Sequence, residues 1–139
     1  MNRIFTLFLV FIYIMACNTV KSDGNNPQNL KRVWMLVQFS SFDKDYLTKK
    51  EAYLDLTQEQ NASSKMGCNQ MSFPYQVIKE TEIHFSDGMA TKMYCEDMKL
   101  ETEFSKAITS VKSYSIDGHK LTLKTENGST MSFVAQDWD

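Results

Sequence analysis

The chain has 139 residues, with 15 Lys and Arg against 17 Asp and Glu and a formal net charge of −2. Acidic and basic residues are interspersed and no basic patch stands out, which argues against nucleic acid as a partner. Hydrophobic residues make up 42% of the chain, part of them in an N-terminal leader, so the remaining core is modest and suits one domain.

The leader reads MNRIFTLFLVFIYIMAC. Arg3 supplies a positive start, an apolar stretch runs from Ile4 to Met15, and the small Ala16 precedes Cys17, which is the layout of a secretory signal. The stretch is well short of the ~20 residues that a membrane-crossing helix requires. Ile14-Met15-Ala16-Cys17 resembles the lipobox of bacterial lipoproteins. That resemblance implies a signal peptide over 1–16, lipidation of Cys17 and a membrane partner reached through the N-terminal lipid. Asn18 stands where an aspartate would resemble the inner-membrane retention signal of enteric bacteria, which leans toward the outer membrane of a Gram-negative cell envelope. NTVKSDGNNPQN, residues 18–29, is polar and carries Gly24 and Pro27. With Cys17 it reads as a flexible tether over 17–29 ahead of a domain at 30–139.

VWMLVQF from Val33 is almost continuously apolar and reads as a buried strand, followed by a polar loop, SSFDKDYLTKKE. In AYLDLTQ, Ala52, Leu54 and Leu56 alternate with Tyr53, Asp55 and Thr57, the period of a half-buried strand. MSFPYQVIKE and TEIHFS are further strand candidates, with Pro74 pointing to an edge or an irregularity, since it cannot donate a ladder hydrogen bond. MATKMYC, after Gly88, reads as another short strand. Leu100, Phe104, Ala107, Ile108 and Val111 then recur at spacings of three and four, predicting one amphipathic helix at about 96–110. VKSYSI, HKLTLKT and STMSFVA follow, separated by turns at Asp117-Gly118 and Asn127-Gly128, strong hairpin signals of the kind type I′ turns use. The fold class is therefore mainly β with one helix: a small antiparallel meander of seven to nine strands curled into a barrel or half-barrel.

Several residues occur in a telling order: Trp34-Met35-Leu36 opening the first strand, Gly67-Cys68-Asn69 after the second, Thr91-Lys92-Met93-Tyr94-Cys95 before the helix, then Met98, Glu103 and Phe104. Tyr114, Leu121, Leu123, Gly128 and Phe133 complete the series. In this order and spacing they resemble the META domain, the family of the heat-shock protein HslJ, over about residues 30–135. Trp34, Gly67, Asn69, Thr91, Met93 and Phe104 are the family-motif positions. Relatives often carry Ala before the second cysteine and Pro after it, where this chain has Tyr94 and Glu96. The resemblance implies a curled antiparallel β domain with a helix against it, found in exported or envelope proteins, and a stress-related or protein-interacting role. It implies no catalytic activity, because the family is not defined by one.

Of three cysteines, lipidation takes Cys17 and leaves Cys68 and Cys95 as an even pair in an oxidising compartment, which favours a disulfide. Two free buried thiols, a metal site and a Cys/His nucleophile are the alternatives. A zinc site asks for about four ligands, commonly in local pairs; here the cysteines stand singly, with only His84 and His119 to join them. No catalytic residues, metal site or cofactor are predicted. Trp34, Phe73, Tyr75, Phe85, Tyr94, Phe104 and Phe133, with Met66, Met71, Met89 and Met93, either fill the core of a small barrel or line a cavity for an apolar ligand or peptide. The expected function is that of a non-enzymatic, lipid-anchored envelope protein with an envelope protein as partner; the binding module is the alternative.

Overall fold

The structure, a computed structural model, describes residues 25–138. Cys17 and the expected signal and most of the expected tether lie outside them. Nine strands run in chain order as β1 (Val33–Phe39), β2 (Tyr53–Asp55), β3 (Asn61–Lys65), β4 (Gln70–Lys79), β5 (Glu82–Phe85), β6 (Met89–Ala90), β7 (Val111–Asp117), β8 (Lys120–Thr125) and β9 (Thr130–Ala135). The described residues also form three helices, α1 (Pro27–Leu30) ahead of β1, and α2 (Lys44–Lys49) and α3 (Lys99–Ile108) between strands. The sheet order is β3-β2-β1-β9-β8-β7-β5-β4, and β3 also pairs with β4. That last pairing closes an eight-stranded antiparallel barrel, with β6 as an extra strand on β4.

An eight-stranded barrel is just wide enough for its own side chains. Here the interior is filled by Trp34, Leu36, Leu54, Phe73, Phe85, Leu121, Leu123, Met131 and Phe133, each 5% exposed or less. β8 and β9 keep strict alternation, with Leu121, Leu123 and Thr125, and Met131, Phe133 and Ala135, all turned inward. β1 and β7 change phase part-way. Trp34 and Leu36 face in and so does Phe39, because the register of β1 against β9 shifts between Leu36 and Gln38. In β7 a shift between Val111 and Ser113 likewise lets Val111 and Tyr114 both point inward. Such bulges bend strands and suit barrel closure.

VWMLVQF is thus buried on one face, with Val33, Met35 and Val37 only half-buried, instead of buried throughout. The predicted loop at 40–51 contains α2, capped by Asp43, whose side chain accepts the Tyr46 N–H at 2.8 Å. Only Leu47 of that helix is buried, so no apolar period announces it. β4 runs unbroken through Pro74, where it exchanges partners from β3 to β5. The Pro74 carbonyl accepts from Ser86 N–H at 2.9 Å; the missing donor therefore faces the irregular Ser86–Gly88 connection, where no ladder bond is lost. β3 carries no predicted strand, since NASSK is polar apart from one alanine. The first hairpin turns at Gly118 and His119, with positive φ at Gly118 alone, as a type II′ turn requires, and not at Asp117-Gly118. The second is a four-residue loop with Gly128 at φ +88°.

The expected tether also ends earlier than predicted. Asn25 belongs to the domain: its side-chain oxygen accepts the Ile116 N–H at 2.8 Å and its carbonyl accepts the Tyr114 hydroxyl at 3.1 Å. Asn26 then caps α1, and the Leu30 carbonyl accepts the indole N–H of Trp34 at 2.9 Å. Strand directions place these residues at one end of the barrel, with the β4–β5 and β7–β8 turns and Gln136–Trp138. The opposite end carries α2, the β3–β4 bend, the 86–98 segment and α3.

Candidate functional site

The motif residues converge on that second end, the motif pole. Cys68 and Cys95 form a disulfide, S–S 2.05 Å and Cα–Cα 6.2 Å, of the ordinary span for this bond. Beside it lies a buried polar node centred on Asn69, 2% exposed. Its backbone N–H and side-chain Nδ2 donate to the two oxygens of Glu101 at 2.7 and 2.8 Å. Its Oδ1 accepts the Thr91 hydroxyl at 2.8 Å and the Met93 N–H at 2.7 Å, while Nδ2 also reaches the Met93 carbonyl at 3.2 Å. The Asn69 amide therefore pairs with the Met93 backbone much as a neighbouring strand would. For this reason the predicted strand MATKMYC stops after two residues, at Ala90.

The same geometry explains the spacing in Thr91-Lys92-Met93-Tyr94-Cys95. Thr91 reaches the node through its hydroxyl, Met93 through its backbone alone, and Cys95 closes the disulfide, while Lys92 and Tyr94 turn out. The Met93 side chain is 55% and Tyr94 90% exposed, and Met89 is 80% exposed; none of these three is in the core or lines an interior cavity. Trp34, Phe73, Tyr75, Phe85, Phe104, Phe133, Met66 and Met71 are core residues. Phe104 meets Phe39 edge-on at 6.4 Å between centroids and seats α3 across the pole.

Gly67 is required by its φ of +108°. A Cβ there would also lie 2.6 Å from Cδ of Lys50 and push that side chain aside. The Lys50 stem crosses Gly67 so that Nζ reaches the Asp97 carboxylate at 3.0 Å, and the Tyr46 hydroxyl donates to the same carboxylate at 2.7 Å. These partners, Tyr46 first and then Lys50, lower the Asp97 pKa to about 2. Desolvation, followed by the Asp97 hydrogen bond and charge, raises Tyr46 to about 12. The bridge ties α2 to the segment leading into α3, whose first residue is Lys99 and not 96.

Glu101 escaped the sequence reading, which singled out Glu103. The signal was present: Glu101 shares the buried face of α3 with Leu100, Phe104 and Ile108. A carboxylate among apolar positions at helical spacing implies a buried partner. His84 faces outward on β5, and His119 stacks on Trp138 at 3.8 Å at the far end of the barrel; neither joins the cysteines. Among the described residues no group of three or more His, Cys, Asp or Glu side chains is arranged to hold a metal ion.

Next to the node, a groove of about 300 Å³ runs between the 86–90 segment and the second half of α3. Met71, Phe73, Met89 and Ile108 line its apolar part. Gly88 sits so close to β4 that a Cβ would fall 2.1 Å from the Ser72 carbonyl oxygen. Thr91 N–H donates to the Gln70 carbonyl at 3.0 Å, which fixes the phase of the β4–β6 ladder. Ala90, opposite Met71, is then at a non-bonded position and directs its N–H and C=O outward. Among the described residues no strand pairs with β6 on that side.

The sequence model of the META domain matches residues 28–138. The chain belongs to the META domain family. The META barrel also resembles two solved structures. One is the NMR structure of a protein from Burkholderia xenovorans, 20% identical, covering 78% of this chain and 83% of that one with a TM-score of 0.60. The other is the crystal structure of a DUF4847 family protein from Bacteroides vulgatus ATCC 8482, 13% identical, covering 78% and 95% with a TM-score of 0.56. At these identities the likeness is one of fold. No curated protein matches the chain significantly.

Proposed function

We propose that this chain is a non-enzymatic lipoprotein of the bacterial cell envelope, in the outer membrane of a Gram-negative cell, whose META barrel binds an extended segment of a partner protein at the motif pole. The anchor rests on the Ile14–Cys17 lipobox and on the disulfide, which suits an exported chain. The non-enzymatic reading draws on Asp97 and Tyr46: their displaced pKa values arise in a half-exposed bridge that fixes a loop, and neither residue lines the groove beside the node.

One observation carries the interaction reading. Met89, Met93 and Tyr94 are exposed apolar side chains on a connection immobilised by a disulfide, a buried polar node and a salt bridge. A rigid apolar surface loses little entropy on binding, and it adjoins the outward N–H and C=O of Ala90. Strand addition uses this combination, with backbone bonds for affinity and side-chain contacts for selection. The alternative of an apolar ligand held inside the barrel has lost its space to the core residues. A small ligand would have to use the external groove.

The test is NMR mapping with a panel of extended peptides of alternating apolar and polar residues. Binding should shift the amides of residues 88–94 and 105–109. Ala90→Pro, which removes the outward donor, should abolish it. Shifts confined to other faces, or binding indifferent to that substitution, would refute the assignment. Lipidation is checked separately: Cys17→Ala should leave the leader uncleaved and free the domain from lipid, and an unchanged mass and membrane fractionation would contradict the anchor.

A further inference from the structure

We infer that the end of the barrel where the chain enters lies against the bilayer, so that the motif pole points away from the membrane. This rests on the lipid anchor proposed above. The decisive observation is that Asn25 already belongs to the fold, pinned to β7 through Tyr114 and Ile116. Only residues 18–24 then separate an acylated Cys17 from a fixed point on the barrel wall. Fully extended, the eight steps from Cys17 to Asn25 span at most about 28 Å. At the usual barrel tilt of about 40°, the seven residues of β1 rise about 18 Å along the axis, and α3 and the 86–98 segment add their own thickness beyond the strand ends. The motif pole could reach the lipid only with most of the link drawn out along the barrel, an arrangement with little conformational freedom.

The surface at the N-terminal end fits that neighbour. Trp138 is 59% exposed and lies flat on His119, 6° between planes, held there by the Gln136 N–H bond to the Val33 carbonyl and the Arg32–Asp137 ion pair. A tryptophan whose ring is apolar and whose N–H is free for water belongs at the headgroup level. Of the cations at that end, Lys31, Arg32 and Lys79 are each paired with an acid, Glu59, Asp137 and Glu82, and Lys120 stands opposite Asp117 across the β7–β8 turn. Attraction to anionic lipid therefore contributes little, and the partner is the interface of a neutral bilayer, reached because the anchor places it there.

Native tryptophan fluorescence tests this in the lipidated full chain reconstituted into phosphatidylcholine nanodiscs, with and without brominated acyl chains. The comparison is between the native protein and a Trp138→Phe/Tyr94→Trp variant, which moves the exposed indole to the motif pole; both positions are exposed, so folding is preserved. Buried Trp34 is common to both. Brominated lipid should quench the native protein, and that loss should disappear in the variant. Equal quenching of the two, stronger quenching of the variant, or quenching of neither would overturn the orientation. A mass spectrum lacking the lipid on Cys17 would instead refute the anchor itself, so the two failures are distinguishable.

Discussion

Replacing Glu101 by Ala removes the acceptor for both the Asn69 N–H and Asn69 Nδ2, at 2.7 and 2.8 Å. Nδ2 keeps the Met93 carbonyl, but the backbone N–H, on a residue 2% exposed, loses the acceptor it has. Leaving a buried donor unpaired costs about 1–3 kcal/mol, and a bond to a charged acceptor is worth about 1.5–3 kcal/mol. The two effects overlap, so the expected loss is about 2–4 kcal/mol. For a domain of this size that lowers Tm by roughly 10–20 °C, a large part of a typical total stability of about 5–15 kcal/mol. Glu101→Gln, which keeps one acceptor and turns a donor toward the other, should lose about half as much. Glu103→Ala, on a half-exposed position of the same helix, is the control and should stay within about 0.5 kcal/mol. The assay is thermal and urea unfolding of the oxidised domain. If Glu101→Ala costs no more than Glu103→Ala, the node does not hold the pole together.

Reducing the Cys68–Cys95 bridge, which spans 27 residues, should cost about 3.5 kcal/mol in urea unfolding by the chain-entropy relation; a loss below about 1 kcal/mol would contradict this. NMR titration should find Asp97 near 2 and, in Tyr46→Phe, nearer its ordinary 3.8. Because its folded value is depressed, stability from this bridge is present above about pH 4 and lost as pH falls through 2. A pKa unchanged by the substitution would refute the assigned cause. Ser64 is fully buried on β3, and its hydroxyl has no hydrogen-bond partner. Ser64→Ala should therefore leave stability unchanged or raise it by up to about 1 kcal/mol, and clear destabilisation in the same unfolding assay would count against the geometry of that strand.

Most of the fold was legible because alternation reports burial directly where strands are regular. Leu121, Leu123, Met131 and Phe133 announce β8 and β9, and the glycines of both hairpins mark their ends. Legibility fails where a bulge changes phase, as in β1, and where a strand is held by its neighbours and not by its own side chains, as in the polar β3 between β2 and β4. α2 was invisible because a six-residue helix with one buried residue has no period to read. The disulfide follows from counting cysteines, and the motif order points to the family. The purpose of the motif was hidden, because its residues meet through long-range contacts. Asn69 and Glu101 are 32 positions apart, and nothing local in either segment names the other. Tyr94 and Met93 misled in the opposite sense: apolar residues are ordinarily read as core, and here they are exposed.

The motif residues hold an exposed apolar segment rigid at one end of the barrel. Backbone amide relaxation of Thr91, Lys92, Met93 and Tyr94 tests it most directly. The expected order parameters are near those of the barrel strands, about 0.85 in the oxidised protein, falling below about 0.6 in Glu101→Ala after reduction of the disulfide. Values below about 0.6 in the intact, oxidised protein would contradict it.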